Sequence, residues 1–175
     1  MLQEKTKITV IGAGAIGGVT AALLAKAGWD VEIVCKHQEI ADRCTNPGLR
    51  VTGIRGEFVV PVRGVKQISD LSGPLDTVLL ATKATDCIPA AKELLPKLAE
   101  DSCVLSLQNG ICEEALAEVL GRNRVIGCVV VWGASRGGCK TSYTFYDNHD
   151  ACQLNESVVH EVLVLVSDDY ASKVS

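Results

Sequence analysis

Residues 7–17 read KITVIGAGAIG, the most informative stretch of the chain for its fold. The β-branched run at residues 7–11 is typical of a short buried strand, and it ends directly at a glycine-rich turn. The small apolar segment at residues 15–27 predicts a helix, which Gly28 would end. A strand, a glycine-rich turn and a helix in this order are typical of the first unit of a dinucleotide-binding fold.

The glycines of the turn have the spacing GxGxxG, and each has a mechanical explanation. Gly12 permits the tight turn, Gly14 lets a pyrophosphate approach the backbone, and Gly17 lets the helix pack closely on the strand. The helix N-terminus adds free N–H groups and the positive end of a dipole. A glycine-rich turn without a ligand is the alternative, but the strand and helix around it favour binding. The residues expected to contact a dinucleotide here are Gly12, Ala13, Gly14, Ala15, Ile16 and Gly17.

The rest of the chain alternates between strands and helices. Such alternation predicts a Rossmann-type α/β fold, a doubly wound and mostly parallel sheet with helices on both faces. Residues 49–65 break the pattern with two β-rich runs around GIRG, and they predict an antiparallel hairpin on the margin of the sheet. The further predicted strands are residues 30–35, 76–81, 102–107 and 124–132, and the further predicted helices are residues 38–44, 87–99 and 113–120.

The predicted dinucleotide-binding domain covers residues 1–155. Residues 141–154 resemble strand and turn, and residues 156–175 predict a terminal helix and tail. The helical spacing of that last segment would place four apolar side chains on one face. They are Val158, Val162, Leu163 and Val166.

Composition excludes several classes of protein. Apolar residues make up 47% of the chain and charged residues 22%, which is ordinary for a globular protein. A net charge of −4 argues against nucleic acid as the main partner, and no cluster of Lys and Arg indicates an anionic membrane surface. No apolar stretch reaches the roughly 18 residues of a membrane span, and the N-terminus lacks a signal-peptide pattern. We therefore expect a cytoplasmic protein.

Eight cysteines are a high number for this length, but none of them forms a CxxC pair. Zinc and iron–sulfur sites usually need such close pairs to set the geometry of their ligands. Cys35, Cys103 and Cys128 lie in apolar, strand-like runs, where a thiol packs as a small hydrophobic group. We expect reduced structural cysteines and no metal site.

The end of the second predicted strand bears on which dinucleotide binds. NAD-selective sites usually carry Asp or Glu there, which accepts hydrogen bonds from the ribose 2′-OH. This chain instead has Cys35, Lys36 and His37, and Glu32 lies too early in the strand to reach the ribose. A cation at Lys36 would pair with a 2′-phosphate, so NADP(H) is favoured. The alternative is that Lys36 is an ordinary solvated lysine.

Polar side chains follow the next two predicted strands. Lys83 comes after the strand at residues 76–81, while Gln108 and Asn109 come after the strand at residues 102–107. Ligands of doubly wound sheets bind beyond the carboxyl ends of the strands, so these residues are directed to the same cleft. Asn109 offers both a donor and an acceptor for a ribose or a carbonyl. Taken alone, Lys83 would be a solvated helix-start lysine, and Asn-Gly a turn.

These motifs, in this order, resemble those of ketopantoate reductases (2-dehydropantoate 2-reductases). The likeness includes GAGAIGG after the first strand, TKATD around Lys83, QNG before a helix, and VIG at the start of the next strand. It runs from about residue 7 to about residue 155. The resemblance implies NADPH-dependent reduction of a 2-keto acid such as ketopantoate.

The resemblance also implies roles for individual residues. Residues 12–17 match the pyrophosphate loop, and Lys36 matches a basic residue for the 2′-phosphate. Lys83 matches a lysine near cofactor and substrate, Asn109 matches an asparagine at the nicotinamide end, and Ala134 lies near a cofactor-contacting alanine. All of these are expected contacts rather than catalytic residues, because none of them is an identifiable general acid.

The resemblance further implies a second, helical domain that supplies the general-acid lysine and a substrate-binding glutamate. The 175-residue chain ends at Ser175, so we expect it to bind cofactor without turnover. An apolar surface that such a domain would cover should lead to self-association or instability. Two alternatives remain open: a stand-alone nucleotide-binding regulatory module, and the cofactor domain of another opine or hydroxyacid dehydrogenase.

Overall fold

The computed structural model describes residues 7–53, 56–108, 112–128, 130, 133–137 and 141–146. In that part of the chain the strands are β1 (Ile8–Ile11), β2 (Val31–Val34), β3 (Leu49–Gly53), β4 (Phe58–Val60), β5 (Arg63–Val65), β6 (Leu75–Leu80), β7 (Leu98–Ser106), β8 (Val125–Gly127), β9 (Gly133–Arg136) and β10 (Ser142–Tyr146). The helices are α1 (Ala15–Lys26), α2 (Gln38–Thr45), α3 (Ala84–Leu94) and α4 (Glu113–Leu120).

The main sheet has six strands in the order β5-β2-β1-β6-β7-β8, and every neighbouring pair is parallel. This is the doubly wound order in which the first strand lies at the centre and the connections cross to either side. The predicted Rossmann-type sheet is confirmed. Because all its strands run the same way, the segments after β1, β2 and β6 meet at one edge.

The core lies on both faces of this sheet. Side chains of β1, α1 and α2 form one buried cluster, which includes Val10, Val19 and Cys44. Side chains of β6, α3 and α4 form a second cluster, which includes Val78, Leu94 and Leu116. Burial of these apolar side chains is the main force that holds the helices against the sheet.

The predicted hairpin is present, but its place in the fold differs from the expectation. Strands β3 and β4 are antiparallel, yet they belong to a second sheet of order β4-β3-β10-β9. Only β5 joins the margin of the main sheet. The second sheet forms because β10 pairs in parallel with β3, with Ser142 opposite Arg50. A pairing between segments so far apart in the chain leaves no local signal in sequence.

Several predicted boundaries also move. Helix α3 begins at Ala84 rather than at residue 87. It is followed by a short 3-10 turn at Leu95–Lys97 that contains Pro96. Proline has no N–H to continue an α-helix, so β7 can begin at Leu98, earlier than predicted. The predicted strand at residues 124–132 is shorter, since β8 ends at Gly127 and the chain then enters the second sheet through β9.

The predicted domain boundary at residue 155 and the predicted terminal helix and tail at residues 156–175 lie outside the described residues. Six cysteines fall inside them, and all six are free thiols, five of them buried. Within the described ranges, no helix has both the length and the apolar character needed to cross a bilayer.

Candidate functional site

A cleft of about 810 Å³ opens at the carboxyl edge of the main sheet. Its floor is the turn between β1 and α1, and its sides include the segments after β2 and β6. These are the segments that the parallel topology brings together. The cleft therefore lies where doubly wound sheets bind their ligands.

The backbone of the turn explains two of its glycines. Gly12 has φ of 110°, a conformation that side chains rarely adopt, and a Cβ there would lie 3.0 Å from the carbonyl oxygen of Ala81. A Cβ on Gly17 would lie 1.9 Å from the carbonyl oxygen of Gly12. The first turn of α1 can lie this close to the end of β1 only with glycine at position 17.

Gly14 differs from both, because a Cβ there would meet nothing within 4 Å. It is the N-cap residue of α1, with an extended backbone that any residue can adopt, and it lines the cleft. Among the described residues no side chain caps the helix N-terminus, and the first turn of α1 holds no acidic residue. The first N–H groups of an α-helix have no partners within the helix, so this end can receive an anion.

The second sheet packs beside the turn through Tyr143. The phenol of Tyr143 donates a hydrogen bond of 3.3 Å to the carbonyl oxygen of Ala13. Its ring lies where a Cβ on Gly18 would be, 2.2 Å from Cζ. Burial raises the pKa of the Tyr143 hydroxyl, while the positive charge of Arg136 acts in the opposite direction. Tyr143 therefore remains a protonated donor.

Three cationic side chains line the cleft: Lys36 after β2, Lys83 at the N-cap of α3, and Arg136 at the end of β9. All three are exposed, and none forms an ion pair with another described residue. Glu39 and Asp86 also line the cleft. A cleft with unpaired cations beside a helix N-terminus is suited to binding phosphate groups.

Arg136 was not anticipated from the sequence. It is far from the glycine-rich turn along the chain, and it reaches the cleft only because β9 pairs with β10, which packs on α1 through Tyr143. His37 and Thr82 also line the cleft without having been predicted as contacts. Their positions next to Lys36 and Lys83 were a signal that could have identified them.

Glu32 takes no part in the cleft. Its side chain is fully buried in β2, where Oε1 pairs with Arg63, lies 2.9 Å from Nζ of Lys7, and accepts a hydrogen bond of 2.9 Å from Ser72. Its Oε2 has no hydrogen-bond partner among the described residues. The Glu32 carboxylate therefore links β2 to β5 through Arg63 and is not on the described cleft lining, where a ribose would bind.

Gln108 lies behind the cleft rather than on its lining. Its Oε1 accepts a hydrogen bond of 2.6 Å from Ser106, and its Nε2 donates to the carbonyl oxygen of Thr82 at 3.2 Å. The side chain is thus occupied in positioning the loop that carries Thr82 and Lys83. Gln108 is not on the described cleft lining, and its expected contact with a cofactor stays a prediction.

The remaining predicted contacts have different positions. Ile16 and Ala134 are half-buried and pack against the main core. Ala134 lies on β9, opposite Phe145 of β10, and neither it nor Ile16 is on the cleft lining. Asn109 lies outside the described residues, so its contact with a nicotinamide ribose stays a prediction.

Curated relatives share this part of the chain. The 2-dehydropantoate 2-reductase of Mesorhizobium japonicum is 41% identical over 106 residues, which are 60% of this chain and 32% of that protein. The 2-dehydropantoate 2-reductase of Nostoc sp. is 35% identical over 127 residues, which are 71% of this chain and 39% of that protein. The chain thus spans well under half the length of these curated relatives.

Solved structures show the same fold. The 2-dehydropantoate 2-reductase of Geobacter metallireducens matches with a TM-score of 0.71 at 34% identity, over 79% of this chain and 46% of that one. A PanE/ApbA family ketopantoate reductase of Ralstonia eutropha matches with a TM-score of 0.72 at 28% identity, over 83% and 47%. D-mandelate dehydrogenase with NADH and anilino(oxo)acetate, at 20% identity and a TM-score of 0.74 over 93% and 54%, shares the fold.

The sequence profile described as ketopantoate reductase PanE/ApbA matches residues 8–157, which includes both sheets and every described side of the cleft. The resemblance expected from the motifs is thereby confirmed. The chain belongs to the ketopantoate reductase PanE/ApbA family.

Proposed function

We propose that this chain is the NADP(H)-binding part of an oxidoreductase that reduces a 2-keto acid such as ketopantoate. The observation that carries the proposal is the open space above Gly14. This position lines the cleft at the uncapped N-terminus of α1, and a side chain there would project toward the space where phosphates would bind. Membership of the family and the names of the curated relatives support the same activity.

The residues present fit a dinucleotide. Its pyrophosphate would lie over Gly12, Gly14 and Ala15, where the first N–H groups of α1 can donate hydrogen bonds. Ala13 lines the same wall, and its carbonyl oxygen already accepts from Tyr143. The role of these residues is to hold and orient the ligand, since they carry no group that moves a proton.

The preference for the 2′-phosphorylated cofactor rests on Lys36. Lys36 is exposed, lines the cleft, and directly follows Cys35 at the end of β2. A carboxylate at this edge of the cleft would repel a 2′-phosphate, whereas an ammonium group attracts it. Glu32, the acidic residue of β2, is buried and paired with Lys7 and Arg63. These two facts together favour NADP(H).

The other side of the cleft would hold the reacting end. A nicotinamide cofactor supplies hydride when bound. The ammonium group of Lys83 can donate hydrogen bonds to ribose or substrate oxygens near that end, and Thr82 is kept in place beside it by Gln108. Asn109 is proposed as a second contact there, and Ala134 as a neighbour of the cofactor.

We further propose that the 175-residue chain binds cofactor without turning over a keto acid. Reduction of a keto carbon needs an acid to protonate the developing alkoxide, and the family resemblance assigns that lysine to a second domain. The curated relatives extend well beyond the region shared with this chain. The same domain would carry the glutamate that holds the substrate.

Fluorescence titration of the protein with NADPH tests the proposal directly. We expect saturable binding of NADPH, weaker binding of NADH, and loss of both on Gly14→Val. Gly137→Ala is a control, because a Cβ there would make only an ordinary contact of 3.6 Å with the Ser142 carbonyl oxygen and Gly137 is not on the described cleft lining. Absence of NADPH binding in the unmodified protein, with its circular dichroism intact, would refute the proposal.

A further inference from the structure

Arg136 is the one cation on the described cleft lining that comes from the second sheet. Its position is set by register, because Arg136 lies opposite Tyr143 in the antiparallel pair of β9 and β10. Residues directly opposite each other in such a pair project from the same face of the sheet. Tyr143 uses that face to pack on Gly18 and to reach Ala13, so Arg136 faces the same end of α1.

The electrostatics agree with this placement. Arg136 lies opposite Tyr143, whose phenol is hydrogen-bonded to the glycine-rich turn. Burial raises the pKa of the Tyr143 hydroxyl, and the positive charge of Arg136 partly offsets that rise. No described carboxylate lies within ion-pair distance of Arg136. The Arg136 guanidinium is exposed, lines a cleft beside a helix N-terminus and has no ion-pair partner among the described residues, so it is available to bind an anion.

We propose that Arg136 binds the pyrophosphate of the dinucleotide, so that the second sheet supplies a phosphate ligand to a cleft otherwise built by the main sheet. This inference rests on the function proposed above. Arginine suits the role because its planar fork donates two parallel hydrogen bonds to phosphate oxygens. The 2′-phosphate is assigned to Lys36 at the end of β2, whereas Arg136 is linked through Tyr143 to the turn at Ala13.

An ordinary explanation competes with this one. Strand β9 is at the edge of the second sheet, and charged side chains on edge strands discourage pairing with other chains. An arginine kept only for that reason would not affect ligand affinity. Ligand affinities of Arg136 variants therefore separate the two explanations.

The experiment compares Arg136→Ala with the parent protein by calorimetric titration of NADPH, NADH and adenosine 2′-monophosphate. NADPH and NADH share the pyrophosphate, whereas adenosine 2′-monophosphate carries only the 2′-phosphate. We expect Arg136→Ala to weaken NADPH and NADH by the same factor, about 10- to 100-fold, and to leave adenosine 2′-monophosphate unchanged. Lys36→Ala should show the opposite pattern, with NADPH and adenosine 2′-monophosphate weakened and NADH unchanged.

Two further variants test whether the effect depends on the fork of the arginine and on its position in the cleft. Arg136→Lys keeps the charge and loses the fork, so it should recover part of the affinity. Arg50→Ala removes an equal charge from β3 of the same sheet, outside the cleft, and should leave all three affinities unchanged. Both Arg136 variants should melt at the same temperature as the parent protein, because the Arg136 side chain is exposed.

Three outcomes would overturn the inference. Unchanged affinities in Arg136→Ala would assign the arginine to the edge-strand role. Weakened binding of NADPH and adenosine 2′-monophosphate alone would assign it to the 2′-phosphate. Failure of the parent protein to bind either dinucleotide would overturn the proposed function and this inference with it, whereas the first two outcomes leave the proposed function standing.

Discussion

The hydroxyl of Tyr143 donates a hydrogen bond to the carbonyl oxygen of Ala13, across 130 positions of the chain. This bond joins the second sheet to the glycine-rich turn of the main sheet. Gly18 makes it possible, because any side chain at that position would overlap the tyrosine ring. The shape of the cleft thus depends on a strand that lies far along the chain from the motif.

Removal of this bond should lower stability without removing the fold. Tyr143→Phe keeps the buried ring and leaves the Ala13 carbonyl without this donor, which should reduce the free energy of unfolding by about 1 kcal/mol. Because burial raises the pKa of the Tyr143 hydroxyl, the folded chain holds the phenolic proton more tightly than the unfolded chain does. Its contribution is therefore present below about pH 10 and is lost as pH rises through the folded pKa.

Urea unfolding of the parent and of Tyr143→Phe at pH 8 and pH 11 checks both statements. The parent should be the more stable at pH 8, and its advantage should shrink or reverse at pH 11. An advantage that is the same at both pH values would show that the hydroxyl does not titrate differently in the two states.

Lys36→Ala should narrow the preference for NADPH over NADH. Loss of a charge-assisted contact to the 2′-phosphate should weaken NADPH by about tenfold or more while NADH is unaffected. Calorimetric titration of both cofactors measures the ratio. Lys92→Ala, an exposed lysine on α3 outside the cleft, is the matched control. Equal affinities of the two cofactors for the parent protein would refute the selectivity that we assign to Lys36.

Gly14→Val and Gly17→Ala should fail in different ways. Gly14 has an extended backbone and open space around it, so valine there should fold normally and block phosphate binding. Alanine at position 17 would place its Cβ 1.9 Å from the Gly12 carbonyl oxygen, and the first turn of α1 would have to move. Circular dichroism and melting should therefore separate the variants, although both lose cofactor binding. Retained binding in Gly14→Val would mean that the turn does not hold the pyrophosphate.

Glu32→Gln should affect stability and leave cofactor choice alone. The carboxylate is buried and holds Lys7 and Arg63, so its neutralisation should cost about 1–3 kcal/mol of unfolding free energy. The ratio of NADPH to NADH affinity should not change, since the side chain lies away from the cleft lining. A shift of that ratio toward NADPH would indicate that Glu32 faces the ribose after all.

The isolated 175-residue chain should show no ketopantoate reduction with NADPH. Loss of a positioned acid typically costs about 10²- to 10⁴-fold in rate, and substrate positioning would be lost as well. The apolar residues predicted on one face of the terminal segment should also cause self-association or low stability. A spectrophotometric assay and light scattering test the two statements separately. Turnover at ordinary enzymatic rates would contradict the first, and a stable monomer would contradict the second.

Local patterns were enough to predict the main sheet and half of the cleft. The run at residues 7–17 predicts β1, the turn and α1, because the glycine spacing and the apolar periodicity act within a few residues of each other. Lys36 and Lys83 follow their strands directly, and parallel topology then directs both to one edge. Local patterns do not predict the contact between the Cys35 and Cys44 sulfurs, which lie 3.7 Å apart. This contact forms only when helix α2 packs back on strand β2.

Short-range patterns in the sequence predicted the glycine-rich turn, the alternation of strands and helices in the main sheet, and the cations at the ends of β2 and β6, since these follow from backbone conformation and local periodicity. The membership of residues 49–60 in a separate sheet with β9 and β10 depends instead on contacts between segments far apart in the chain. The same long-range pairing brings Tyr143 onto Gly18 and Arg136 into the cleft. In the main sheet, the hydrogen bond from Gln108 to the Thr82 carbonyl oxygen holds Gln108 off the described cleft lining. Contacts between distant segments depend on which surfaces bury each other best. They therefore cannot be predicted from the residues of either segment alone.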